Sequence, residues 1–288
     1  MNQELLRPTT VEQAATLLRS LPGARLISGG ATLVAMMNAR LADPQTLISL
    51  AGIKDIQGIR EIPGGGFRIG AFTRHRETSA DARLAGTLGV VREAAGLIAN
   101  ATVRNMGTIG GSISFADPGL DYPPALVAAD AVIEIVSSSA RRRVKAEDFF
   151  VDWYTTALQP GELVAAVELP ASRDGIGLYH KLARVTGDYA TVSIAVSAWF
   201  GPAGPRLRVV VGACGPRPIR TDEADRLVSG ASPDLAKAGA LLREAADPVD
   251  DVRGSADYRR TLIPRMLERA VLQARAALAR TSAGASRG

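Results

Sequence analysis

The chain has 288 residues, 47% hydrophobic and 22% charged, the make-up of a soluble globular protein of about two domains rather than a collagen, a disordered tail or a small disulfide scaffold. One cysteine, Cys214, and two histidines, His75 and His180, exclude internal disulfides, Cys-rich zinc sites and iron–sulfur clusters, and leave little for a His-built metal centre. The formal charge of +5 is modest, the basic residues are scattered apart from Arg141–Arg143 and the C-terminus, and aromatics are only 5%, which is not the basic, aromatic-bearing face of a nucleic-acid binder.

Thr10-Val11-Glu12-Gln13 reads as a capping box that opens a short helix through Leu21, ended by Pro22-Gly23. Ala24 to Ser28 is a short apolar strand; Gly29-Gly30 follows, then a helix-compatible segment from Ala31 to Ala42 and a second strand from Thr46 to Leu50. This strand–loop–helix–strand unit predicts α/β packing early in the chain. Gly64-Gly65-Gly66 is a turn before a strand at Phe67 to Ala71, Leu88 to Ala99 has helical spacing, and Ala131 to Val136 with Arg142 to Lys145 forms a hairpin. A strand from Leu163 stops at Pro170, and the polar stretch Ala171 to Gly177 is the main domain boundary. Beyond it come strands at Ala190 to Phe200 and Leu207 to Ala213, then helices at Pro233 to Ala246 and Tyr258 to Leu278, the last expected to kink or split at Pro264. The Ser/Ala/Gly-rich tail from Thr281 is expected to be disordered. Met1 to Arg7 has no apolar h-region and no run of about 18 apolar residues occurs anywhere, so the expected setting is the cytoplasm.

Two places join a short apolar strand to paired glycines and a hydroxyl: Leu26-Ile27-Ser28-Gly29-Gly30-Ala31-Thr32-Leu33, and Arg104 to Ser112 with Thr108-Ile109-Gly110-Gly111-Ser112 at its end. Paired glycines let the backbone take positive φ and let a ligand approach the amides, and successive N–H groups then form a nest for anions. Two such nests suit a pyrophosphate; one pair alone is more simply a tight turn, a reading that two pairs after similar strands weaken. The chain has neither G-x-x-x-x-G-K-[ST] nor G-x-G-x-x-G, which disfavours an NTPase loop and a Rossmann NAD site.

With these segments in view, the chain resembles the FAD-binding medium subunit of the molybdenum hydroxylases, the carbon monoxide dehydrogenase and xanthine dehydrogenase family, from about Leu5 to Leu278. The resemblance is carried by Ile27 to Thr32, with Ser28 where Ala is usual, and by Ala101 to Ser112. Ser114 to Pro124, Ile69-Gly70-Ala71, Phe149-Phe150 and Tyr179 to Ala190 are further landmarks. The string Arg104-Asn105-Met106-Gly107-Thr108-Ile109-Gly110-Gly111-Ser112 is the most specific of them.

The resemblance implies an α+β fold: the two-subdomain FAD-binding module of the vanillyl-alcohol-oxidase (PCMH) type at 1–172, with a subdomain boundary near 52–56. A smaller C-terminal α+β domain at 175–280 and the tail at 281–288 would follow. It implies non-covalent FAD, held by Leu26 to Leu33 and by Thr108 to Ser112. Ile98 would pack on the cofactor, Asp121 would hydrogen-bond it, and Leu163 and Lys181 would contact it near the flavin end. A Lys181 ammonium there would favour the anionic reduced flavin. Read as residues alone, Ile98 and Leu163 are core positions, Asp121 a turn residue before Tyr122-Pro123-Pro124, Lys181 a solvated strand residue and Arg104 a surface charge or phosphate counter-charge. Tyr189 lies against the flavin or fills the core, and Cys214 is a small buried residue.

The implied function is electron transfer within a complex. A large subunit would carry the molybdenum cofactor, and a small subunit two [2Fe–2S] clusters from which electrons reach FAD here and leave for an external acceptor. The complex would be a dimer of heterotrimers, and no catalytic residue or metal ligand is expected on this chain. A free-standing flavin oxidase with its own substrate cavity is the alternative, and a basic non-enzymatic binding protein a more distant one.

Overall fold

The computed structural model describes residues 3–285. Its first lobe runs β1 (Glu4–Leu6), α1 (Val11–Ser20), β2 (Arg25–Ile27), α2 (Leu33–Asn38) and β3 (Thr46–Ser49), with the strands parallel in the order β1-β3-β2. At the α1 N-terminus half of the expected box forms: Thr10 Oγ1 accepts from the Gln13 amide at 3.2 Å, but Gln13 Oε1 returns to Thr9 rather than Thr10, accepting from the Thr9 amide at 3.0 Å. The expected strand–loop–helix–strand unit is present. It gains β1, whose three residues carry too little periodicity to be seen beforehand.

The second lobe opens with β4 (Ile59–Ile62) and β5 (Gly66–Gly70), then five helices: α3 (His75–Ala80), α4 (Gly89–Leu97), α5 (Ala101–Met106), α6 (Ile109–Phe115) and α7 (Tyr122–Ala128). The hairpin β6 (Val132–Val136) and β7 (Arg141–Lys145) follows, then α8 (Ala146–Phe149), a ribbon of β8 (Phe150–Asp152) and β9 (Thr155–Thr156), and β10 (Leu163–Leu169). The five-stranded sheet has the order β4-β5-β10-β6-β7, so β10, last in sequence, lies at its centre. That position requires apolar residues on both faces, and every residue of Leu-Val-Ala-Ala-Val-Glu-Leu except Glu168 is buried.

The third lobe is the antiparallel sheet β11 (Gly175–Leu182), β12 (Val192–Gly201) and β13 (Gly204–Gly212), with α9 (Asp222–Val228), α10 (Leu235–Glu244) and α11 (Ala256–Ala285). Alternation decides what each sheet face covers. Val192, Ile194, Val196 and Ala198 of β12 enter the core shared with α9–α11, whereas Ala195, Val210 and Tyr179 enter the core of the second lobe. The sheet is thus packed on both sides. α11 does not split at Pro264: its stripe Ile263, Leu267, Ala270, Val271, Ala274 and Leu278 is buried along its length, and the Pro264 ring faces Gly239 of α10, where a Cβ would come within 2.9 Å of it. α11 continues through Ala285, into the segment expected to be disordered from Thr281; residues 286–288 lie outside the described residues.

Candidate functional site

All three lobes wall a cleft of about 1070 Å³, at the upper end of the roughly 300–1,000 Å³ typical of small-ligand pockets. Leu26 and Ile27 end β2, Leu33 opens α2, and the loop between them faces the cleft. Gly30 has φ +73°, and Gly29 lies so close to the next lobe that a Cβ would fall 1.6 Å from the Met106 carbonyl oxygen. Neither position tolerates another residue without moving the loop. Among the described residues, none of the amides of Gly29, Gly30, Ala31, Thr32 and Leu33 meets a hydrogen-bond acceptor. Five successive unmatched N–H groups on one loop form a concave donor surface for an anion.

The second glycine pair is different. Thr108 is the N-cap of α6, its Oγ1 accepting from the Gly111 amide at 3.2 Å. The other amides of the turn are also occupied: Ile109 donates to Thr73 O (3.0 Å), Gly110 to Ala71 O (2.9 Å) and Ser112 to Thr108 O (3.0 Å). Gly110 and Gly111 are helical rather than left-handed, so this segment is not a second amide nest. Its glycines serve close approach instead. A Cβ on Gly110 would come within 2.5 Å of the Ala71 Cβ, and one on Gly111 within 3.0 Å of Ser28 Oγ. The two segments meet directly, the Ser28 and Thr108 hydroxyls sharing a hydrogen bond of 2.9 Å.

The structure brings the expected residues together with one exception. Leu26 to Leu33, Ile98, Thr108, Gly110, Gly111, Ser112, Asp121, Leu163 and Lys181 all line the cleft, whereas the Ile109 side chain is fully buried in the core. Arg104, read from the sequence as a surface charge or a phosphate counter-charge, is engaged by the main chain. Its guanidinium donates to the carbonyls of Ile98 (2.8 Å) and Ala99 (3.0 Å), holding a turn in which Ala99 has φ +42°. Lys181 is not a free ammonium either: it pairs with Asp121 at 2.9 Å, both side chains 5–7% exposed, and donates to the Leu97 carbonyl. The other Asp121 oxygen accepts from the Tyr179 hydroxyl at 2.8 Å. Burial raises the Asp121 carboxyl above the usual range, with Lys181 opposing, and burial likewise raises the Tyr179 phenol.

Two cleft residues escaped the sequence reading. His75 sits on α3 beside Gly107, and Arg253, on the loop before α11, lies over the Tyr189 ring (5.0 Å to its centroid) and pairs with Asp188 at 3.2 Å. Only the scarcity of histidine marked the first; nothing marked the second, whose approach is purely tertiary. Cys214 is buried in the third lobe, its thiol pushed up to about 12 by burial, away from the cleft.

A large cleft, half walled by apolar side chains, with a run of free amides at one place and a buried polar cluster at another, fits a dinucleotide coenzyme: an anionic centre with an aromatic group on either side. Comparison with known proteins agrees. The chain belongs to the family of FAD-binding medium subunits of molybdenum hydroxylases: the model for the FAD binding domain in molybdopterin dehydrogenase matches residues 1–172, and that for the CO dehydrogenase flavoprotein C-terminal domain matches 177–274. It is therefore the flavoprotein subunit of an oxidoreductase, its cofactor is FAD, and its fold is the FAD-binding module followed by the smaller C-terminal α+β domain. The carbon monoxide dehydrogenase medium chain of Afipia carboxidovorans is 37% identical over 277 residues, spanning 94% of this chain and 96% of the relative. A subunit alpha of the 6-hydroxypseudooxynicotine dehydrogenase complex of Paenarthrobacter nicotinovorans is 32% identical over 257 residues, spanning 87% and 86%. The crystal structure of a cyanide-inactivated Cu,Mo-CO dehydrogenase superposes with a TM-score of 0.90 at 36% identity, covering 96% of this chain and 98% of that one. Among the described residues, no helix is long and apolar enough to cross a membrane.

Proposed function

We propose that this subunit carries electrons from the [2Fe–2S] clusters of a small partner subunit, themselves supplied by a molybdenum-cofactor large subunit, to an external acceptor, within a cytoplasmic dimer of heterotrimers. The run of free amides at Gly29–Leu33 carries this reading, because it gives the chain a place to hold a diphosphate but no substrate chemistry of its own. Relatives named as a medium chain and as a subunit of a dehydrogenase complex support membership of a multi-subunit assembly. The working division is an FAD-binding domain at 1–172, itself broken near 52–56, and a C-terminal domain at 175–280.

Bound FAD supplies a centre that exchanges electrons singly or in pairs. The chain's own residues bind and orient. The Gly29 to Leu33 amides would hold the diphosphate; Thr108 and Ser112, facing them on α6, would add hydroxyls, with Ile109 to Gly111 forming the close backbone behind. Ile98 and Leu163 would supply apolar walls, and Asp121 with Lys181 a buried polar edge of no net charge. In this reading Asp121 positions rather than reacts, both of its oxygens being already engaged by Tyr179 and Lys181.

Native co-purification with flavin and metal analysis tests the proposal. Two further chains recovered with molybdenum, iron, acid-labile sulfide and FAD are expected. A solitary chain that oxidises a small molecule by itself would overturn it.

A further inference from the structure

Hydrogen counting gives the bond between the Ser28 and Thr108 hydroxyls a direction. A hydroxyl carries one hydrogen and two acceptor lone pairs, whereas a backbone amide can only donate. Thr108 Oγ1 accepts from the Gly111 amide at 3.2 Å and lies 2.9 Å from Ser28 Oγ; among the described residues these are that oxygen's only hydrogen-bond partners. Thr108 is 2% exposed, so its hydrogen is closed off from solvent and has to be met inside the protein. Ser28 Oγ is the acceptor within reach. Thr108 therefore donates and Ser28 accepts, and the Ser28 hydrogen is left without a protein acceptor.

Ser28 is half-buried and lines the cleft, directly before the free amides of Gly29 to Leu33 on the same loop. Gly111 keeps the space around the pair clear: a Cβ there would come within 3.0 Å of Ser28 Oγ and 3.1 Å of Thr108 Oγ1. The series Gly111 N–H, Thr108 O–H, Ser28 O–H thus runs one way, each group donating to the next, from the first turn of α6 into the cleft. Each hydroxyl is made a better donor by the bond it accepts. Lys181 and Arg253 in the cleft are already paired with aspartates, so this hydrogen complements the amides without adding charge.

We propose that the Ser28 hydroxyl donates to the anionic centre of the coenzyme, and that Thr108 is the positioning residue that aims it. The inference rests on the amide run being the coenzyme site. The Thr108 hydroxyl then acts on the coenzyme through Ser28 rather than directly. A bond to a charged acceptor is roughly twice as strong as one between neutral groups, so the effect falls on the diphosphate and not on the flavin ring.

The test is equilibrium titration of FAD, with phosphorus NMR and the visible spectrum of the bound coenzyme. The full-length protein is used, freed of flavin and purified with whatever chains accompany it. Ser28→Ala should weaken FAD about tenfold, shift a phosphorus resonance of the bound diphosphate and leave the flavin absorption bands in place. Thr108→Val should move the same resonance, and the conservative Thr108→Ser should rescue it. Wild-type affinity in Ser28→Ala overturns the proposal. So does weakened binding with the phosphorus resonances unmoved, the result expected of a hydroxyl that only ties the lobes together. Failure of the wild-type protein to bind FAD at all would overturn the coenzyme site, and this inference with it.

Discussion

Lys181→Met removes the cation from a carboxylate that has nowhere else to go. Asp121 and Lys181 are 5% and 7% exposed, so water screens neither, and Asp121 keeps only the Tyr179 hydroxyl when the ammonium is gone. Deleting one partner of a buried pair costs about 3–5 kcal/mol. The ceiling follows from titration: keeping a carboxyl of ordinary pKa near 3.9 protonated costs about 1.4 kcal/mol per pH unit, hence about 5.6 kcal/mol at pH 8 but only about 1.5 kcal/mol at pH 5. The sign is that of an acid whose folded pKa lies above its unfolded value. Its contribution is fully present below the unfolded pKa and lost as pH rises through the folded one, and the substitution raises the folded value further. Thermal unfolding without flavin should therefore show a melting temperature lower by about 10 °C at pH 8 and by only a few degrees at pH 5. Because Asp121 precedes α7 in the second lobe and Lys181 lies on β11 in the third, the deficit should appear in both lobes at once. An equal deficit at both pH values, or none at pH 8, would refute the reasoning.

Gly29→Ala should abolish FAD binding in equilibrium titration with a modest fall in melting temperature, because its methyl group meets the Met106 carbonyl and pushes the amide loop off its neighbour. Gly110→Ala should do the reverse, lowering the melting temperature through the clash with Ala71 before it weakens binding, since its amide is already bonded to the Ala71 carbonyl. Arg104→Met releases the Ile98 and Ala99 carbonyls at the cleft wall; in equilibrium titration it should weaken FAD about tenfold, the effect of about 1.4 kcal/mol.

Much of the architecture was readable because its elements satisfy local rules. The N-cap at Thr10, the strand from Leu163 to Leu169 stopped by Pro170 and the turn at Gly64-Gly65 each announce themselves within a few residues. The first glycine loop was legible for the same reason. The second was misread in detail: paired glycines point equally to a bare turn and to a helix packed hard against a strand, and only the Ala71 neighbour, far away in sequence, decides between them. Arg104 and Lys181 carried charges whose partners lie across the fold, so no local signal could reveal that one grips carbonyls and the other a carboxylate. Pro264 warned of a broken helix. Burial along the whole apolar stripe of α11 and the vacancy at Gly239 allow it to continue.

The shared hydrogen bond of Ser28 and Thr108 has a consequence for how the coenzyme comes and goes. It laces the first lobe to the second across the floor of the cleft, so the mould is set before its occupant arrives. Less ordering remains to be done on arrival, and departure must wait for a seam that stays fastened. A chain with alanine there would open that seam and shorten the coenzyme's residence time.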